Sequence, residues 1–156
     1  MRIAIDLQGL QSDGSRTRGI GRYSSSFIHN LINFYPQYDY ILVANASLKD
    51  LKNDFETLLS KDNVIYYEWF SPCPLDFISY DINKYKLAVY LRSFAIACLH
   101  ADVFVITSFF EGFIDNCFTE YESSILNTKV VSIFYDLIPL LNSELYLDNN
   151  PEFSEF

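Results

Sequence analysis

Five short runs of β-branched and aliphatic residues recur along this chain, and between them the apolar positions switch to a helical period. The runs are RIAIDL at 2–7, YILVAN at 40–45, NVIYYEWF at 63–70, DVFVIT at 102–107 and KVVSIFY at 129–135. From Gly21 to Tyr35 the apolar residues Tyr23, Phe27, Ile28, Leu31, Ile32 and Tyr35 share one helix face. Ser25, His29 and Asn33 fall on the other face, so His29 is expected at the solvated surface. A second helix is expected to start at Ser47 as N-cap, with Asp50 three residues on in a capping-box-like arrangement. A third is expected from about Ile82 to His100, with Lys86, Tyr90, Ser93, Ala97 and His100 as its polar stripe. Arg92 projects away from that stripe towards apolar neighbours, where an arginine snorkels or meets a carboxylate. The stretch between the last two runs reads as a loop with one or two helical turns. Strands alternating with amphipathic helices make βαβ units. The expected fold is therefore α/β: a Rossmann-like parallel sheet with helices on both faces and right-handed crossovers. Residues 1–143 form this domain, and 144–156 read as an extension holding four acids and no base.

Charge narrows the partners. The 156-residue chain carries 20 acidic against 11 basic side chains, a formal net charge of −9. That balance disfavours DNA or RNA as a partner, because a phosphate backbone demands a basic face. A small phosphorylated ligand needs only a local basic hollow and is not excluded. Three cysteines without C-x-x-C spacing and two histidines argue against a disulfide framework or a metal site. Arg92, His100 and Asp102 interrupt the greasy stretch 87–110, so no membrane span is expected. With an acid already at Asp6, the start of the chain does not read as a secretory leader. A reducing, cytoplasmic setting follows as the expectation, with at most peripheral contact with the inner membrane. The Asn45-Ala46-Ser47 triplet matches a glycosylation acceptor, which has no meaning in that setting.

In open parallel sheets ligands bind beyond the carboxyl ends of the strands, where the strand order reverses. The first run ends at Asp6, Gln8 and Gly9; the fourth at Thr107 and Ser108, followed by Glu111 and Gly112; the fifth at Tyr135 and Asp136. If these three strands are neighbours, the polar groups converge; each can also merely cap a turn. The loop RTRGIGRY at 16–23 precedes the first long helix. Gly19-Ile20-Gly21-Arg22-Tyr23-Ser24 lacks the last glycine of the dinucleotide fingerprint, which disfavours a nucleotide-dependent oxidoreductase, and no G-x-x-x-x-G-K is present. Arg16, Arg18 and Arg22 against Asp13 nevertheless make it the most basic patch of the chain. Glycines at a helix start let a phosphate approach the backbone. A solvated turn is the plainer reading of the same residues.

Three segments in this order, RIAIDLQGLQSDGSRTRGIGRYS, SFFEGFIDN and FYDLIPLLNSELYL, resemble the N-terminal half of family-four glycosyltransferases of the GT-B fold. The similarity is greatest to bacterial enzymes that build lipopolysaccharide O-antigen and related polysaccharides, often from nucleotide-activated mannose. The resemblance implies a two-domain enzyme with a cleft between the halves, transfer with retention of anomeric configuration, and no metal or other cofactor. The co-substrate would be a nucleotide sugar such as GDP-mannose, and the partner a glycan acceptor. By the same resemblance Gly19, Gly21 and Arg22 match a loop that reaches the donor diphosphate. Tyr135 and Asp136 match the family's strand-end pair, Asp136 as the catalytic position; the strand-end argument adds Asp6, Ser108 and Glu111 to Tyr135 in the cleft on the acceptor side. Many relatives have histidine where this chain has Tyr135. The family's donor site pairs two glutamates eight positions apart; eight beyond Glu111 is Thr119, so Glu111 is not that glutamate.

The resemblance also implies a C-terminal donor domain, in cis or in trans, that is not in this sequence. The 156-residue chain alone is then expected to be inactive. Arg22→Ala or Gly21→Val is expected to impair transfer in the complete enzyme while leaving this domain folded. The alternative is a non-catalytic Rossmann-like module that binds a phosphorylated ligand or a partner protein.

Overall fold

A computed structural model describes residues 1–71, 81–112, 115–135 and 141–148 of the chain. Its strands are β1 (Arg2–Asp6), β2 (Asp39–Asn45), β3 (Val64–Trp69), β4 (Val103–Ile106) and β5 (Lys129–Ser132). They form one sheet in the order β3-β2-β1-β4-β5, every neighbouring pair parallel. The chain steps outward from β1 to β3, then returns beside β1 as β4 and steps outward the other way. The order therefore reverses between β1 and β4, so the ends of β1, β4 and β5 are neighbours as expected.

Strand periodicity divides the core in two. Ile3, Ile5, Tyr40 and Leu42 point to one face, where they pack with Ile28, Ile32, Phe55 and Leu58. Ala4, Ile41, Val43, Phe104 and Ile106 point to the other and meet Ala88, Ile96 and Leu99. Successive strand side chains alternate faces, so a parallel sheet buried on both sides needs apolar residues at every position. The first face is covered by α1 (Gln8–Gln11), α2 (Gly19–Phe34) and α3 (Glu56–Leu59), the second by α4 (Ile82–Cys98). A helical turn, α5, covers Ser143–Tyr146. Among the described residues no helix is long and apolar enough to cross a membrane.

The helices depart from expectation in instructive ways. Helix α2 starts two residues earlier, at Gly19, and Tyr40 Oη closes its far end by donating to the carbonyls of Leu31 and Tyr35 at 3.2 and 2.8 Å. Ser47 caps nothing: its hydroxyl donates to the Ser71 carbonyl, and its N–H is held by Asn45 Oδ1. Asp50 Oδ1 accepts instead from Lys52 N, so helical turns begin only at Asn53. His29 is half-buried and stacked on Phe55, ring centroids 5.5 Å apart, rather than solvated.

Helix α4 starts as expected, with Asp81 accepting from Asn83 N and Lys84 N, but its faces are assigned differently. Ser93, placed in the polar stripe by sequence, is fully buried; its hydroxyl donates to Val89 O and accepts from Glu122 N at 2.7 Å. Leu87, Tyr90, Leu91 and Phe94 face outward. Because α4 is apolar nearly all round, periodicity cannot orient it, and the polar contacts of Arg92 and Ser93 decide. His100 ends the helix region with φ of 48°, in the left-handed region.

Candidate functional site

Towards β4, the end of β1 is closed by buried polar contacts. Asp6 and Arg92 are each 1% exposed, and Arg92 Nη2 donates to Asp6 Oδ2 at 3.0 Å. The guanidinium lies over the rings of Trp69 and Phe104, 5.7 and 5.6 Å from their centroids. Gln8 Nε2 also faces the Asp6 carboxylate and donates to Phe118 O at 2.6 Å, while Phe118 N donates back to Gln8 Oε1 at 2.8 Å. Thr107 Oγ1 donates to the Asp6 carbonyl at 2.8 Å. The Asp6 carboxylate is thus held by protein groups, which supplies the carboxylate that the position of Arg92 asked for. Arg92 Nε and Nη1 have no hydrogen-bond partner among the described residues.

Beyond β4, Ser108 is 3% and Glu111 7% exposed. Burial pushes the Glu111 carboxyl above its ordinary value of 4.5, and the charge of Asp115 pushes the same way; the hydroxyls of Ser108, Ser15 and Ser12 pull it back without cancelling the rise. Asp115 pins this loop to the segment after β1. Its Oδ2 accepts from Ser12 Oγ at 2.8 Å and Asp13 N at 3.0 Å, and its Oδ1 from Cys117 N at 3.0 Å. Gly112 sits at φ 110°, and an added Cβ there would collide with the Cys117 carbonyl oxygen, so the bend accepts only glycine. The buried Cys117 thiol is pushed far above its usual range by desolvation, which leaves it a poor nucleophile.

Tyr135 ties the end of the fifth strand region to α2. Its hydroxyl donates to Thr107 O at 2.9 Å and shares a 2.8 Å hydrogen bond with Ser24 Oγ, while its ring meets Tyr23 edge-on at 5.6 Å. Burial raises its pKa above the ordinary 10.0. Asp136 lies outside the described residues.

The two glycines of the 16–23 loop have different jobs. Around Gly19, the first residue of α2, an added Cβ would meet open space. At Gly21 a Cβ would stand 2.6 Å from the backbone Cα and C of Arg16, and Gly21 N donates to Ser15 O at 3.1 Å. Gly21 is therefore needed to seat the loop on the helix, and a valine there disturbs the domain itself. This corrects the expectation at Gly21→Val: the substitution strains the domain as well as the loop.

Arg22 faces the other flank. Its exposed side chain lines a hollow of about 640 Å³ with Arg16, Thr17, Ser25 and Lys49. Arg16 and Lys49 also line an adjoining hollow of about 460 Å³ with Gln11, Asp13, Ser47 and Asp115. Ser108, Glu111 and Tyr135 thus gather towards β4, whereas Arg22 turns towards β2. Sequence reasoning missed Lys49, although the rule that ligands sit at carboxyl ends of strands applies equally to β2. It also missed Asn45, a buried hub whose side-chain amide reaches Gln8 Oε1 and Asn116 O; this burial removes it as a glycosylation acceptor.

No family model matches the chain. Three curated proteins of Escherichia coli, each named serotype-specific mannosyltransferase WbdA, are 32% identical to it. The chain is similar to one stretch of a mannosyltransferase. In the first relative that stretch is 161 residues and takes in 100% of this chain. In the other two it is 110 and 113 residues, 70% of the chain. The chain spans 19% of the length of the first relative, and the matched stretches are 13% of the other two.

Proposed function

We propose that this chain forms the acceptor-side part of a glycosyltransferase that transfers a sugar from a nucleotide-sugar donor to a glycan acceptor in polysaccharide or lipopolysaccharide synthesis. The observation that carries the reading is the 32% identity to a mannosyltransferase, sustained over the whole chain. A parallel sheet whose order reverses between β1 and β4 is the scaffold such a reading needs. GDP-mannose is the donor this reading favours, with a retaining, metal-independent transfer at a cleft closed by a separate donor domain in cis or in trans. In the proposed cleft Asp136 is the catalytic residue, Tyr135 lies beside it, and Ser108 and Glu111 form the wall towards β4. Asp6 contributes through the buried pair with Arg92 and not by direct contact with a ligand. Gly19 and Gly21 shape the loop that approaches the diphosphate. The protein would work in the cytoplasm, at most peripherally at the membrane, and be inactive without its donor domain.

A graft tests this. The 156-residue chain is assayed with labelled GDP-mannose and a mannan acceptor, alone and in place of the matching segment of the E. coli mannosyltransferase. Transfer by the graft, none by the chain alone, and loss of transfer in the Asp136→Ala graft are the expected results. A graft that folds and binds donor but transfers nothing sinks the proposal.

The open cationic hollow on the β2 side favours the second reading, a non-catalytic module for a phosphorylated ligand. Under that reading the chain alone binds its ligand tightly and the graft stays inactive.

A further inference from the structure

Two adjoining hollows on the β2 side of the β1 end have complementary walls. Among the described residues, the larger presents three cations, Arg16, Arg22 and Lys49, with the hydroxyl-bearing Thr17 and Ser25, against one acid, Asp54. In a chain of net charge −9 this concentration of positive charge is local. The smaller presents carboxylates, an amide and a hydroxyl from Asp13, Asp115, Gln11 and Ser47. Arg16 and Lys49 stand in both walls, so the two hollows share a ridge.

The existing ion pairs do not block an anion. Arg16 pairs with Asp13 at 3.1 Å and Lys49 with Asp54 at 3.5 Å, all four side chains at least a third exposed. Exposed pairs are worth about 0–1 kcal/mol, so a doubly charged phosphate can displace them. Arg22 has no ion pair among the described residues.

The backbone beneath is fixed. Buried Gln11 donates to the carbonyls of Lys49 and Asn45 at 2.8 and 3.0 Å and accepts from Asn45 N at 2.9 Å. Asp115 is held by Ser12 and by the N–H groups of Asp13 and Cys117. Among the described residues a base would find no platform: Phe55, the one aromatic among them lining either hollow, is 2% exposed and already stacked on His29.

We propose that these hollows form one site for a glycosyl phosphate, with the phosphate on Arg22, Lys49 and Arg16 and the sugar hydroxyls on Asp13 and Asp115. Cations take phosphate oxygens by charge-assisted hydrogen bonds, and carboxylates accept from hydroxyls. The site opens on the β2 side, with Asp115 shared with the loop beyond β4, and it gives Arg22 the phosphate of this ligand to hold. Only the choice of mannose as probe sugar rests on the glycosyltransferase reading.

The test is calorimetric titration of the 156-residue chain with mannose 1-phosphate, inorganic phosphate, mannose and GDP-mannose. Mannose 1-phosphate should bind more tightly than phosphate or mannose. Arg22→Ala and Lys49→Ala should each weaken it about tenfold, Lys49→Arg should restore most of it, and Lys129→Ala at the β5 edge should change nothing, with unchanged melting in all four. Three results overturn the proposal: no saturable binding of mannose 1-phosphate, binding indifferent to Arg22→Ala and Lys49→Ala, or GDP-mannose binding as tightly with the same losses. Phosphate binding equal to that of mannose 1-phosphate overturns the sugar half. None of these results touches the transfer activity of the graft, so the two proposals fail separately.

Discussion

Towards β4, the end of β1 hides its charges; towards β2, it displays them. Asp6, Arg92 and Glu111 are all buried, and each must be compensated by a neighbour or shift its proton affinity. Arg16, Arg22 and Lys49 stand in water against weak partners. Buried pairs cost several kcal/mol of desolvation and become structural necessities, since removing one member strands the other. Exposed cations cost the fold little and stay available for a ligand. One strand end therefore carries a rigid polar wall on one side and a binding surface on the other.

That contrast is most exposed to failure at Arg92. Arg92→Ala leaves the Asp6 carboxylate buried and alone and should cost about 3–5 kcal/mol in urea unfolding; a loss below ~1 kcal/mol would mean that the wall is not what holds this end together. Gly21→Val, where the loop between the two flanks is seated, should cost about 1–3 kcal/mol and lower the melting temperature in thermal unfolding. Tyr135→Phe removes the hydroxyl that joins Thr107 O to Ser24 and should cost about 1 kcal/mol, with faster amide exchange at the start of α2.

Glu111 sharpens the contrast through pH. Its folded pKa is raised, so its protonated form stabilises the fold fully below the unfolded value of 4.5, and that stability is lost as pH rises through the folded value. Glu111→Gln should remove this decline, so the variant gains on the parent in denaturant midpoints as pH rises from below 4.5 to neutrality. A constant difference across that range would show that Glu111 does not titrate as its burial requires. The smallest effect belongs to the open flank: Lys49→Ala should change stability by no more than about 0.5 kcal/mol. A larger loss would make Lys49 part of the wall.

Legibility from sequence followed the range of the interactions. The five strands were readable because runs of β-branched and aliphatic residues and their alternation with helices are local signals, whereas the neighbourhood of the ends of β1, β4 and β5 entered only as a condition, which the strand order meets. Arg92 was readable as an oddity, since a cation on an apolar helix face demands a partner, but Asp6 is 86 residues away and no local pattern names it. The capping-box pattern at Ser47 and Asp50 misled because both side chains prefer turn contacts, and Ser71 is reached only after β3 is in place. Lys49 had no motif at all.

The sequence by itself determined an α/β parallel sheet, a basic glycine loop before the first long helix, and a similarity to mannosyltransferases. Only the tertiary structure decided which face of α4 goes inside, that Gly21 is a packing residue, that Asp6 is consumed by Arg92, and that Arg22 and Lys49 line one hollow. The physical reason is the same in each case. Hydrophobic periodicity is written along the chain, whereas the partner of a charge is set by which strand ends the fold brings side by side.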